Sequence, residues 1–145
     1  MDDLYKIPRD AEGLNEFSRD LIEGIVKIFR DKGIDDIEYK VNRSELDKNT
    51  GYVVGWNFAR LHYAEIMITR DKNDRENSVI VDQFIGIRQG IDQFRKVSSP
   101  ETLRTAADLY ESVEDLLVNK FGDPISEHDG RKIYRTPLNQ EAFIG

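Results

Sequence analysis

The chain predicts an α+β domain: a small antiparallel sheet of three to four strands covered by an N-terminal and a C-terminal amphipathic helix, with extended terminal arms. Three observations predict it. Apolar residues step by three and four through two well-separated stretches, as one buried helix face requires. Between them lie segments rich in aromatic and β-branched residues, partly alternating with polar ones, as half-buried strands require. Pro8 and Pro137 break the flanking stretches, whose scattered apolar residues keep no period. The chain therefore divides into an N-terminal arm over residues 1–9, a single core domain over 10–122 and a C-terminal extended arm over 123–145.

In the first arm Leu4, Tyr5 and Ile7 are apolar anchors. The first helix is expected over residues 11–32, with Leu14, Phe17, Leu21, Ile25 and Ile28 as its stripe and Ile22 and Phe29 widening it. Asp10 suits its N-cap and Gly33 its stop. Ile37-Glu38-Tyr39-Lys40-Val41 alternates as a strand, and Asp47-Lys48-Asn49-Thr50-Gly51 reads as a turn. In the next stretch Tyr52, Val54, Trp56 and Phe58 share one strand face, and further on Ala64, Ile66 and Ile68 do the same. A helical period also fits Tyr52, Trp56, Ala59, Tyr63 and Ile66, but Gly51, Gly55 and the Val53-Val54 pair weigh against it.

Residues 70–77 form a polar loop. Across 78–97 two periods compete. Ile80, Phe84, Ile87, Ile91 and Phe94 step as a helix, whereas Val79, Val81, Ile85, Ile87 and Ile91 suit a strand. Gly86 and Gly90 would cost a helix about 2 kcal/mol. The expectation is a hairpin strand over 78–88, then irregular or helical structure to Val97. The last helix opens on a capping box, Ser98 with Glu101, and carries Pro100 in its first turn. Leu103, Ala106, Tyr110, Val113, Leu117 and Phe121 form its buried stripe, and Gly122 and Pro124 end it. Its outer face carries Asp108, Glu111, Glu114 and Asp115. In the second arm Ile133, Tyr134, Leu138, Phe143 and Ile144 are the apolar anchors.

The net charge of −7 is unevenly spread. Residues 1–36 carry ten acids against six bases and residues 98–145 nine against five, while the middle is nearly balanced. That balance repels phosphates and argues against broad nucleic-acid binding. No apolar run approaches the roughly 20 residues that span a bilayer. The start, Met1-Asp2-Asp3-Leu4-Tyr5-Lys6, lacks the basic-then-apolar order of a secretory signal, and a chain without Cys fits a reducing compartment. The expected protein is cytoplasmic, or assembled into a particle made in the cytoplasm.

With no Cys and two His, His62 and His128, the chain lacks the residues of thiol chemistry, most zinc centres and Ser-His or Cys-His nucleophile systems. No phosphate loop or dinucleotide fingerprint occurs. Asp71-Lys72-Asn73-Asp74-Arg75-Glu76 fails the calcium-loop pattern, because the turn glycine is missing and Arg75 stands at a ligand position. Glu38-Tyr39-Lys40 matches half of a metal-nuclease motif whose second strand carboxylate falls to Glu65. Glu127-His128-Asp129-Gly130 reads as a surface turn rather than a cation site. Trp56, Phe58 and Tyr63 with Arg60 and Arg70 offer a base-stacking platform, although strand aromatics more often fill a core beneath a helix.

No cofactor, metal or small-molecule substrate emerges from these readings. The expected function is a non-catalytic assembly subunit that works through protein contacts and self-association, with the arms and the acidic helix face as interfaces. In outline the helix–sheet–helix core resembles the small ring-forming neck and tail-terminator subunits of bacterial viruses. The resemblance is architectural, covers the core without any motif, and implies a virion component. The alternative is a small acidic inhibitor, of the immunity, antitoxin or anti-defence kind, whose helix carboxylates block a basic partner surface. A third reading is a carboxylate enzyme that holds a metal at Glu38 and Glu65.

Overall fold

The computed structural model describes residues 16–43, 48–57, 62–71, 78–90, 93–96 and 100–136. In chain order these form α1 (Glu16–Asp31), β1 (Asp36–Arg43), β2 (Lys48–Asn57), β3 (His62–Asp71), β4 (Ser78–Gly90), β5 (Gln93–Lys96), α2 (Pro100–Phe121), β6 (Ser126–His128) and β7 (Arg131–Arg135). All strand pairs are antiparallel, in one sheet of order β1-β2-β3-β4-β7-β6, with β5 pairing β4 off that path.

This sheet corrects the expected one of three to four strands. Two segments account for the difference. Across 78–97 the irregular or helical end is replaced by strand: β4 runs on to Gly90 and β5 folds back on it. Both periods were present because β4 is apolar on both faces. Val79, Val81 and Ile85 are buried beneath the helices, while Ile80 and Phe84 are half-buried on the opposite face. The second segment is the one expected to extend as an arm from residue 123. It supplies β6 and β7, and β7 pairs with β4 in the register Ser78↔Arg135 to Val81↔Lys132. A third correction is local. The turn expected at 47–51 gives way from Lys48 onward to β2, where Thr50 stands opposite Thr69 with their hydroxyls 3.4 Å apart. Turn propensity is a local preference, and two flanking strands outweigh it here.

Both helices pack on one sheet face and run antiparallel. Phe17 meets Phe121 edge-on at 5.8 Å, Asp20 pairs with Lys120, and a Cβ on Gly24 would lie 2.9 Å from Leu116 Cδ2. The expected stripes are largely the buried ones: Leu21, Ile22, Ile25 and Phe29 on α1, and Ala106, Val113 and Leu117 on α2. Val26 and Leu109 join them. Beneath lie Ile37, Tyr39, Val53, Ala64, Ile66, Ile68, Val79, Val81, Ile85 and Tyr134. Burying each such side chain contributes about 1.5–3 kcal/mol, so this layer holds the fold together.

The C-terminal ends of both helices are built as the sequence suggested. Gly33 (φ +83°) closes α1 in a Schellman motif: Ile34 N–H donates to Phe29 O at 2.9 Å and Gly33 N–H to Arg30 O at 3.0 Å. Asn57 Nδ2 then donates to Gly33 O at 2.9 Å, tying the helix end to β2. Gly122 (φ +86°) closes α2, its N–H donating to Val118 O at 2.7 Å. Between β6 and β7, Asp129 (φ 52°) and Gly130 (φ 77°) form the two-residue turn that Asp-Gly favours.

Strand β4 shares one edge between two partners, β7 along Ser78–Val81 and β5 along Gly86–Gly90. Tyr110 on α2 enters the interval between them and accepts a hydrogen bond from Ile85 N–H. Burial raises the Tyr110 pKa and that hydrogen bond opposes the rise.

Candidate functional site

The helices leave the second sheet face without a helix among the described residues, and strand alternation fixes what stands there. Opposed positions share a face. Trp56 opposes Tyr63, Val54 opposes Glu65, Tyr52 opposes Met67 and Thr69 opposes Ile80; Glu65 in turn opposes Phe84, and Ile80 opposes Ile133. Trp56, Met67, Ile80, Phe84 and Ile133 are half-buried, and Val54 and Tyr63 are buried. Trp56 and Tyr63 meet edge-on with centroids 5.4 Å apart, and Tyr63 leans on Phe84 at 6.2 Å. These contacts join β2, β3 and β4 into one aromatic band.

Tyr63 Oη donates to Glu65 Oε1 at 2.8 Å. Burial, then this hydrogen bond and the carboxylate's charge, push the Tyr63 phenol far above its ordinary range, so it stays a neutral donor. The far end of the face is basic. Arg131 Nε lies 3.4 Å from Asp82 Oδ2, and Arg135 is exposed four residues on. The chemistry available is apolar and aromatic contact bordered by charge.

Each residue singled out in the sequence now has a position. On α2, Asp108, Glu111 and Asp115 are exposed and spaced by three and four, so they form one row along the solvent side. Glu114 leaves that row: its Oε1 lies 2.9 Å from Lys132 Nζ, pairing the helix to the C-terminal hairpin. Tyr134 is fully buried in the chain's own core, against Phe121 at 5.8 Å. Ile133, its neighbour, stands on the opposite face opposed to Ile80. Leu4, Tyr5, Ile7, Leu138, Phe143 and Ile144 lie outside the described residues, as do Asp10, Phe58, Arg60, Ser98 and residues 72–77.

Glu38 and Glu65 share the open face, but Val54 stands between them in the register. Two strand spacings, about 10 Å, separate their backbones, and the intervening side chain is apolar. Among the described residues no group of three His, Cys, Asp or Glu comes together to hold a metal ion. The stacking platform is also divided. Trp56 and Tyr63 stand on the open face, whereas Arg70, two residues on from buried Ile68, alternates onto the helix-bearing face. His128 lies in the exposed hairpin turn, its Nε2 3.2 Å from Asp129 Oδ2.

Sequence reasoning missed Met67, Phe84 and Ile80 as surface residues. The available signal was consecutive apolar residues of both parities, Val79-Ile80-Val81 and Phe84-Ile85, which mark a strand apolar on both faces. Among the described residues no helix is long and apolar enough to cross a membrane. Comparison with protein-family models, with curated proteins and with solved structures finds no match.

Proposed function

We propose that this protein is a non-catalytic subunit that works by protein contacts in a homo-oligomeric assembly, of the ring-forming kind met in virus particles, and made in the cytoplasm. The observation that carries this reading is the aromatic band of the sheet face opposite the helices, where Trp56, Met67, Ile80, Phe84 and Ile133 are half-buried and no helix lies over them among the described residues. Contiguous apolar patches on a surface mark contact sites. The aromatic and Met content matches the cores of protein interfaces, and the charges lie at its margin. The occupant is a second copy of this chain, since its band meets its own chemistry.

The test is absolute mass by light scattering after size exclusion on the full-length chain. Met67→Lys combined with Ile133→Lys is expected to lower the mass of the assembly while the melting temperature moves by only a few degrees. An unchanged mass would remove the face from the reading. A second reading, the acidic inhibitor, draws on the exposed row Asp108, Glu111 and Asp115. Under it, reversing all three to Lys abolishes calorimetric binding to polylysine at low salt and leaves the mass unchanged. Retained binding would remove that row.

A further inference from the structure

The two ends of the β1-β2-β3-β4-β7-β6 order differ. On one side β6 has only three residues, all exposed, and stops at the Asp129-Gly130 turn. Short, interrupted edges of this kind do not invite another strand. On the other side β1 has eight residues and pairs β2 along its whole length without a register shift. No described strand occupies its second edge. It contains no Pro, no Gly and no bulge. A regular edge of this length presents a row of backbone donors and acceptors to any strand that fits.

The sequence of that edge fits itself. Its order is Asp36-Ile37-Glu38-Tyr39-Lys40-Val41-Asn42-Arg43. Place a second copy antiparallel to it, about a two-fold axis through Tyr39. Glu38 of each copy then stands opposite position 40, a lysine, of the other, so the axis generates two opposite-charge pairs. Ile37 stands opposite position 41, a valine, and Asp36 opposite position 42, an asparagine. The helix-bearing faces of both copies stay on the same side. Sliding the register by two residues opposes Glu38 to Glu38 in one direction and Lys40 to Lys40 in the other. Like charges directly opposed on a sheet are destabilising. Sliding by one would set apolar positions against charged ones and turn one face inside out. The slide that opposes Glu38 to Glu38 also sets Asp36 against position 40 and Ile37 against Tyr39, so what separates the two is the like-charge contact: only the register centred on Tyr39 pairs opposite charges, keeps apolar positions together and opposes no like charges.

We infer that β1 is a self-association edge, at which a second copy of this chain adds its own β1 antiparallel in the register centred on Tyr39 and continues the sheet across a two-fold axis. This rests on the self-association reading above but uses a different surface, an edge rather than a face. Backbone pairing supplies the contact, and the Glu38–Lys40 pairs set the register.

The experiment compares full-length wild type with Glu38→Lys, Lys40→Glu and the double variant Glu38→Lys/Lys40→Glu, by light scattering and thermal melting. Each single variant opposes like charges across the axis and is expected to halve the mass. The double variant restores opposite charges in reversed order and is expected to restore the mass. Melting temperatures within a few degrees of wild type would show that each chain remains folded. Unchanged mass in the single variants, or a double variant that stays at half mass, overturns the edge. If wild type is a single chain at every concentration, the self-association reading falls together with the edge. If it is an oligomer that Met67→Lys/Ile133→Lys reduces to single chains, or whose mass the β1 variants leave unchanged, the edge alone falls.

Discussion

Gly55→Val is expected to lower the stability of the fold by about 3 kcal/mol, the upper part of the usual range for overpacking a core. Gly55 lies in β2 between Ile37 and Ala64, where the end of α1 comes down on the sheet. A Cβ there would overlap Ile34 Cγ2 and lie 3.1 Å from Phe29 Cδ2 and 3.4 Å from the Asp36 carbonyl oxygen. Phe29 and Ile34 are both buried and both held by the Schellman hydrogen bonds, so neither can move aside cheaply. The check is the urea midpoint at unchanged slope. Ile34→Ala alone is expected to cost about 2–4 kcal/mol by leaving a cavity. Combined with Gly55→Val it should cost at least about 1 kcal/mol less than the sum, because the new side chain fills the space that Ile34 vacates. Strict additivity would show that the helix end does not rest on Gly55.

Tyr134→Ala is expected to cost about 3–5 kcal/mol, the range for removing a large aromatic from a core. Tyr134 is fully buried and packs against Phe121, so it is the anchor by which the C-terminal hairpin joins the helices. A loss under about 1 kcal/mol would mean that the hairpin unfolds separately from the rest. Tyr134→Phe separates the ring from the hydroxyl. Among the described residues the buried Oη has no hydrogen-bond partner, so its removal should stabilise the fold by about 1 kcal/mol at neutral pH. The same hydroxyl sets an alkaline limit. Burial first, then the charges of Glu114 and Glu127, push the Tyr134 pKa up to about 12 from 10.0. A folded pKa above the unfolded one favours the neutral phenol. Its contribution is fully present below pH 10 and is lost as pH rises from 10 to about 12. Stability should therefore fall through that window in wild type and fall less in Tyr134→Phe, read from urea midpoints at successive pH values.

Much of the architecture was legible because it depends on local spacing. Leu21, Ile25 and Phe29 on α1, and Ala106, Val113 and Leu117 on α2, follow the helical period and are buried. Gly33 and Gly122 mark helix ends because only a residue free of Cβ strain adopts their positive φ readily. The alternation of β1 and the turn character of Asp129-Gly130 were equally local. The extent of the sheet was not legible. Ile80 and Phe84 carry the same apolar signal whether they line a helix or the second face of a strand, and only pairing with β3 and β7 distinguishes the two.

The candidate surfaces divide in the same way. The row Asp108, Glu111 and Asp115 could be read from helical spacing, but the departure of Glu114 to Lys132 could not, because that contact joins α2 to a strand pair folded later in the chain. The aromatic band needs Trp56, Tyr63 and Phe84 from three strands, and their meeting depends on register, which no single strand encodes. The sequence by itself determined the helices, their C-terminal ends and the strand character of the middle, since each follows from residue type and near-neighbour spacing. Only the tertiary structure decided the size of the sheet, the burial of Tyr134 and the face on which each strand residue stands, because those follow from cross-strand hydrogen bonding and from apolar area buried between segments distant in the chain.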